Sequence, residues 1–242
     1  MDFLKYEGDT FTIVGRCERT GMLGICLVTS EIATGSRGPH VKAGVGAVAT
    51  QAYTNPYLGK LGLNLLELGF PAHKVVEEIR STDEYIEYRQ IGVVDKDGNT
   101  AVYTGKENKE WAGAFAKKNY IAMGNYLVNE GVAKAMANAF EASASEDLEE
   151  RLMRAIEAGG NAGGQHGGEH HAAAIIVYDR DILPRVDLRV DYHKKSIDKL
   201  RQLLDFYKPL IPYYIARPLD PTIGGYGDWL LKHGAKQGPA LK

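Results

Sequence analysis

The sequence predicts a layered α+β domain in which sheets are sandwiched between helices. Short apolar runs recur along the chain, ending in glycine or turn residues, and they come in groups separated by pairs of amphipathic helical patterns. Strand groups separated by helix pairs favour stacked layers over a single open sheet. Glycine supplies 28 of the 242 residues, above the usual ~7%. These glycines lie at the ends of runs and form no repeat, the pattern of many short strands with tight turns.

Taken in order, Thr10 to Cys17 and Met22 to Thr29 read as a hairpin around Glu18-Arg19-Thr20-Gly21. That register sets Cys17 opposite Met22 and Cys26 opposite Ile13. The two thiols are then out of reach of each other, so two free, buried cysteines are expected, as in a reducing compartment. Ala43 to Gln51 reads as a strand buried on both faces. Thr54 and Asn55 precede a helix begun by Pro56, with Leu58, Leu61, Leu65 and Leu66 on one face. A second helix follows Pro71 and presents Val75, Val76 and Ile79. Arg89 to Asp95 and Asn99 to Thr104 form a hairpin whose turn carries Asp97-Gly98. Trp111 to Phe115 and Tyr120 to Met123 add two short strands. Helices are expected over Glu130 to Ala142 and Glu146 to Ala158, the second with Ser145 as N-cap. The stretch from Gly159 to Gly168 is too rich in glycine for a helix and reads as a loop feeding a strand over Ala172 to Tyr178. A strand over Val186 to Val190 and a helix over Ser196 to Tyr207 close a domain spanning residues 1–207, of which 1–9 form an N-terminal extension. Residues 208–242, with Pro209, Pro212, Pro218 and Pro221 and the aromatic residues Tyr213, Tyr214, Tyr226 and Trp229, read as an irregular arm packed on the body or on a neighbouring copy.

Charge and hydropathy narrow the function. Lysine and arginine number 29 against 31 acidic residues, a net charge of -2 with no long run of either sign. Nucleic acid is therefore not expected as a main partner. The longest wholly apolar run, Ala172 to Tyr178, is far short of the ~20 residues that span a bilayer. The first residues lack the basic, apolar and small-residue regions of a secretory signal. A cytoplasmic protein with a small-molecule substrate, no cofactor and no membrane partner is expected.

Two local patterns could carry chemistry. His166-Gly167-Gly168-Glu169-His170 matches H-x-x-E-H, in which two histidines one helical turn apart hold zinc and the glutamate acts as base. That geometry requires a helix, which the two internal glycines oppose. A flexible polar loop is the preferred reading, ahead of a loop that lends His166 to a pocket and of a metallohydrolase using His166, Glu169 and His170. The second pattern is Thr10 at the start of a buried strand. A threonine there is a nucleophile if its own backbone nitrogen is a free amine able to act as base, and otherwise simply a β-branched residue beginning a strand.

A resemblance adds to this reading. Thr10 to Arg16, Thr20-Gly21-Met22-Leu23-Gly24, and Ala43 through Ala49-Thr50-Gln51-Ala52-Tyr53-Thr54-Asn55-Pro56 closely resemble a family catalogued as "domain of unknown function ten-twenty-eight". Arg89 to Asp95, Gly124-Asn125 and Asp187 to Asp191 continue the match, which covers roughly Thr10 to Tyr207. The resemblance implies an N-terminal-nucleophile (Ntn) hydrolase-like fold of four layers, α-β-β-α, usually assigned to amide hydrolysis or left without an activity. It also implies roles. Thr10 would attack an amide carbonyl and its freed amine would carry the proton, with Lys42 supplying positive charge and Asn125 or a backbone N–H near Gly46 stabilising the oxyanion. Thr29, Ser30, Gln51, Tyr53, Asn55 and His166 would line the substrate. Each has a plainer reading as well: Asn55 as a helix cap, Gln51 as a partner for buried backbone, Lys42 as a surface residue, Asn125 as a turn residue. Thr29 stands where the wider group carries aspartate. In the family members compared, a methionine directly precedes this threonine, whereas nine residues precede it here. A free amine therefore requires cleavage after Asp9. The alternative is a catalytically silent scaffold that binds a small molecule or assembles into a homo-oligomer.

Overall fold

The computed structural model describes residues 8–168 and 170–234. β1 (Thr10–Arg16) and β2 (Leu23–Thr29) form the expected hairpin, with Ile13 opposite Cys26. The Cys17 N–H donates to Met22 O at 2.8 Å, and both cysteines are buried and unbridged. β7 (Gly113–Lys117), β8 (Tyr120–Asn125), β9 (Ala172–Tyr178) and β10 (Val186–Val190) complete an antiparallel sheet in the order β10-β9-β2-β1-β8-β7. A second antiparallel sheet runs β3-β4-β5-β6, from β3 (Pro39–Lys42), β4 (Gly46–Ala52), β5 (Arg89–Asp95) and β6 (Thr100–Thr104). The β5-β6 turn closes through Gly98, whose φ of +82° suits glycine.

Three apolar clusters define the layers. Val14, Ile25 and Leu27 of the first sheet pack on Val41, Ala47 and Val94 of the second. The outer face of the second sheet, through Val48, Ile91 and Val93, is covered by α1 (Pro56–Glu67) and α2 (Ala72–Thr82). Phe11, Ile13 and Cys26 on the other outer face meet α3 (Gly131–Ala142), α4 (Leu148–Asn161) and α5 (Ser196–Tyr207). The result is a four-layer α-β-β-α sandwich, as the resemblance implies. Asn55 caps α1, its Oδ1 accepting the Tyr57 N–H at 3.1 Å, with Pro56 at the first helical position.

Four expectations are corrected. The strand expected from Ala43 starts at Gly46; Val45 N donates to Lys42 O at 3.2 Å in a turn, and β3 is a separate strand ahead of it. The residue before α4 is Asp147, not Ser145, and it makes no side-chain capping bond. The same helix runs on through Gly159 and Gly160, because a Cβ at Gly159 would lie 2.8 Å from Met136 Cγ and 3.2 Å from Phe11 Cδ2. Close packing outweighs the helix cost of glycine, about 1 kcal/mol. The arm is not irregular throughout: among its described residues it carries two helices, α6 (Ile211–Ala216) and α7 (Tyr226–Lys232).

Candidate active site

Strand register brings the hydroxyl and amide residues at the start of β1 together. Thr10 lies opposite Thr29 of β2 on one side and Asn125 of β8 on the other. Thr10 Oγ1 donates to Thr29 Oγ1 at 3.2 Å, and Thr29 Oγ1 donates to the carbonyl of Asp9 at 2.7 Å. One hydroxyl thus holds the Thr10 side chain and the carbonyl of the peptide bond just before it. Asn125 Nδ2 donates to the Gly8 carbonyl at 2.9 Å, and Ser30 Oγ donates to Asp9 Oδ1. Thr10, Thr29, Ser30 and Asn125, four of the predicted residues, are therefore assembled in one buried cluster.

Gln51 reaches across from the second sheet to the same place. Its Oε1 accepts from Thr12 Oγ1 at 2.5 Å and its Nε2 donates to Gln90 Oε1 at 2.7 Å, with Thr10 O at 3.3 Å and Asn125 Oδ1 at 3.4 Å. Both ends of this amide are taken by protein, so Gln51 ties the sheets together beneath Thr10. Gln90 continues the chain by donating to Gly124 O and Thr104 Oγ1, each at 2.9 Å.

The remaining predicted residues lie elsewhere. Lys42 pairs with Gly46 in the β3-β4 ladder, whereas Gln51 marks the Thr10 end. Gly46 and Gln51 lie five residue steps apart along β4, roughly 17 Å. Lys42 Nζ is half-exposed and ion-paired to Glu67 Oε1 at 2.5 Å, so its charge sits on the far end of the second sheet. Tyr53 is 62% exposed and packs edge-on against Tyr88, with ring centroids 5.8 Å apart. Asn55 serves the α1 cap. His166 is exposed, its ring 4.8 Å from that of Tyr126. Glu169 lies outside the described residues. The helix needed for H-x-x-E-H is not formed: Gly163, Gly164, Gly167 and Gly168 all have positive φ, and no metal-holding group of three or more ligands occurs among the described residues.

Sequence reasoning missed Asp9, Gln90, Gln165 and His171. Burial and the neighbouring charge of Glu31 push the Asp9 carboxyl up to about 6, against hydrogen bonds that include one from the Gln165 side chain. His171 secures the end of β2, its N–H donating to Thr29 O at 2.9 Å and its Nδ1 meeting Ser30 O at 2.8 Å. A cleft of about 730 Å³ opens at the other end of β1, lined by Arg16, Cys17 and Arg151 among others. Its chemistry is cationic, unlike the neutral donors around Thr10.

With this geometry in view, the comparisons are specific at the level of family. The sequence model of a "Family of unknown function (DUF1028)" matches residues 10–200. The crystal structure of a Silicibacter pomeroyi protein described with the same family model is 31% identical, with a TM-score of 0.75 over 91% of this chain and 93% of that one. Anbu, the ancestral beta-subunit from Yersinia bercovieri, aligns over 96% of this chain and 99% of its own at 13% identity and a TM-score of 0.40, too low to argue from. A search of curated proteins returns no match. The threonine-led first strand, the Thr50-to-Pro56 stretch and the shared fold over nine-tenths of both chains make this protein a member of the DUF1028 family.

Proposed function

We propose that the protein is an Ntn-type amide hydrolase acting on a small amide, peptide or amino-acid derivative, with Thr10 as nucleophile once the bond after Asp9 is cut. One observation carries the reading: Thr29 Oγ1 donates to the Asp9 carbonyl while accepting from the Thr10 hydroxyl. In the uncut chain the Thr10 nitrogen is an amide whose lone pair is delocalised, so it cannot serve as base. Attack of Thr10 Oγ1 on the Asp9 carbonyl carbon would form a C–O bond and break the C–N bond, the hydroxyl proton passing to nitrogen. Water then splits the ester into the Asp9 carboxylic acid and a Thr10 with both hydroxyl and amine free. In turnover the same hydroxyl attacks a substrate amide, the amine carries its proton to the leaving amine, and water hydrolyses the Thr10 ester. Thr29 Oγ1, the donor on the carbonyl that Thr10 would attack, is the side chain suited to the oxyanion, while Asn125 Nδ2 on β8 holds the carbonyl of the residue ahead.

Intact-mass analysis combined with an amide library tests this. The active species is expected to begin at Thr10, and Thr10→Ala is expected to lower amine release at least about a thousandfold. Equal activity in the two proteins, or activity in a species retaining Asp9, sinks the assignment.

The silent scaffold is the second reading, and it is favoured by the way Gly8 and Asp9 occupy the donors around Thr10. Under it the arm supplies a surface for a second copy: Leu219 and Leu231 are exposed, while Tyr213 is buried and donates to Gly224 O at 3.0 Å. Sedimentation of the full chain and of a Leu219→Glu/Leu231→Glu variant should show a dimer that the variant loses. A monomer in both cases removes the oligomer.

A further inference from the structure

The donors around Thr10 are filled by the chain's own Gly8–Asp9 segment, and that occupant describes a ligand. Asn125 holds the carbonyl of Gly8, Thr29 holds the carbonyl of Asp9, and Ser30 and Gln165 hold the Asp9 carboxyl. Thr29 at the end of β2, Ser30 just beyond it, Asn125 of β8 and Gln165 of the loop after α4 thus address the two carbonyls and the carboxyl of a two-residue stretch. Asp9 is almost fully enclosed, at 4% exposure for the residue. Burying a carboxyl costs free energy unless donors are provided, so a recess built this way distinguishes a carboxyl from an apolar group of the same size. The position ahead is narrow as well. Gly8 has a φ of +65°, and a Cβ there would lie 3.3 Å from Ala52 O and 3.6 Å from Glu31 Oε1.

We infer that the recess formed by Ser30 and Gln165 is an acyl subsite for a short carboxyl-bearing group of aspartyl type, preceded by nothing larger than glycine. This rests on the amide-hydrolase reading for its catalytic meaning. The substrate class is then an amide or peptide whose acyl side is a glycyl-aspartyl or similar small acidic unit. The recess has neutral donors and Glu31 as the charge acting on it, so it disfavours long acyl groups by space and apolar ones by unmet hydrogen bonds. Thr10 lies one bond beyond the carbonyl that Thr29 polarises, so a bound acyl group of this shape presents its carbonyl to the Thr10 hydroxyl as Asp9 does.

The test separates this inference from catalysis. In the full chain, Asp9→Gly removes the carboxymethyl group and leaves the Ser30–Gln165 recess vacant, so acetate is the probe. Acetate binding, followed by calorimetry and by carboxyl-carbon NMR, is expected in Asp9→Gly and not in wild type or Asp9→Asn. Butyrate should bind more weakly than acetate, and acetate binding should strengthen as the pH falls, because burial and Glu31 oppose a charged carboxyl in the recess. Adding Ser30→Ala should weaken acetate about tenfold, the effect of one hydrogen bond to a charged group. Acetate binding that is equal in wild type and Asp9→Gly, or indifferent to Ser30→Ala, overturns the subsite. If Asp9→Gly does not fold, the Asp9 carboxyl signal of wild type and Ser30→Ala decides: loss of a donor to the charged form should move its titration upward, and no movement overturns the proposal. Amide hydrolysis at equal rates on aspartyl and alanyl anilides removes the subsite and keeps the hydrolase. Acetate binding without hydrolysis of any amide removes the hydrolase and keeps the subsite.

Discussion

Asp9 and Glu150 are both buried carboxyls, and their environments drive them in opposite directions. Burial and Glu31 push Asp9 up to about 6, its partners being the neutral side chains of Ser30 and Gln165. Burial acts in the same sense on Glu150, yet Arg201, Arg154 and Lys208 hold its carboxyl down to about 2. Arg201 Nη1 and Lys208 Nζ reach Glu150 Oε2 at 2.9 and 3.0 Å, and Arg201 also binds Glu157 at 2.7 Å. The difference is the charge of the partners. Cations make Glu150 a fastener between α4, α5 and the start of the arm. Neutral donors leave Asp9 poised near the middle of the pH range, beside a candidate nucleophile, and a carboxyl perturbed in this way marks a candidate site.

Breaking the fastener should have the larger effect on the comparison. Arg201→Ala removes the guanidinium that bridges Glu150 and Glu157 and leaves a nearly buried carboxylate with Lys208 and Arg154 alone. A loss of about 2–3 kcal/mol in denaturant unfolding is expected, below the 3–5 of a fully buried pair because Arg201 retains some exposure. The chemistry around Thr10 should be unaffected. A loss under about 0.5 kcal/mol would mean that the cations are interchangeable.

The pH response sharpens the comparison with a smaller effect. Asp9 binds its proton more tightly folded than unfolded, so its contribution to stability rises as pH falls from about 6 toward the ordinary value of 3.8. Glu150 behaves oppositely: its contribution is complete above the ordinary 4.5 and is lost as pH falls from there toward about 2. Taken together, these two carboxyls should make stability pass through a maximum in mildly acidic solution. Carboxyl-carbon NMR should show the two residues titrating about four units apart, in line with 6 against 2. Asp9 titrating near 4 would remove the contrast.

Much of the fold was legible in the sequence. β9, β10 and α5 match the expected residues at both ends, because turn residues flank each one and the apolar periodicity is local. The Cys17–Met22 and Cys26–Ile13 pairings follow from a short turn that leaves little freedom of register. β3 was not legible, since four residues that include a proline are too few to show an alternation. Gln51 and Gln90 did carry a signal: each is an amide in a largely apolar, buried strand, and a buried amide needs a partner. Which partner depends on how two sheets face each other, and neither strand's own spacing contains that.

The sequence by itself determined the family, the order and type of nearly all elements, and the candidacy of Thr10, because these rest on local periodicity, turn chemistry and a specific motif. Only the tertiary structure decided which groups meet. It set Thr29 and Asn125 beside Thr10 through strand pairing and carried Lys42 to the opposite end of the second sheet. It also laid Gly8 and Asp9 across the donors of the cluster. The physical reason is that hydrogen-bond partnership and the pKa of a buried carboxyl are set by atoms distant in the chain, and those atoms are brought into range only when the two sheets pack.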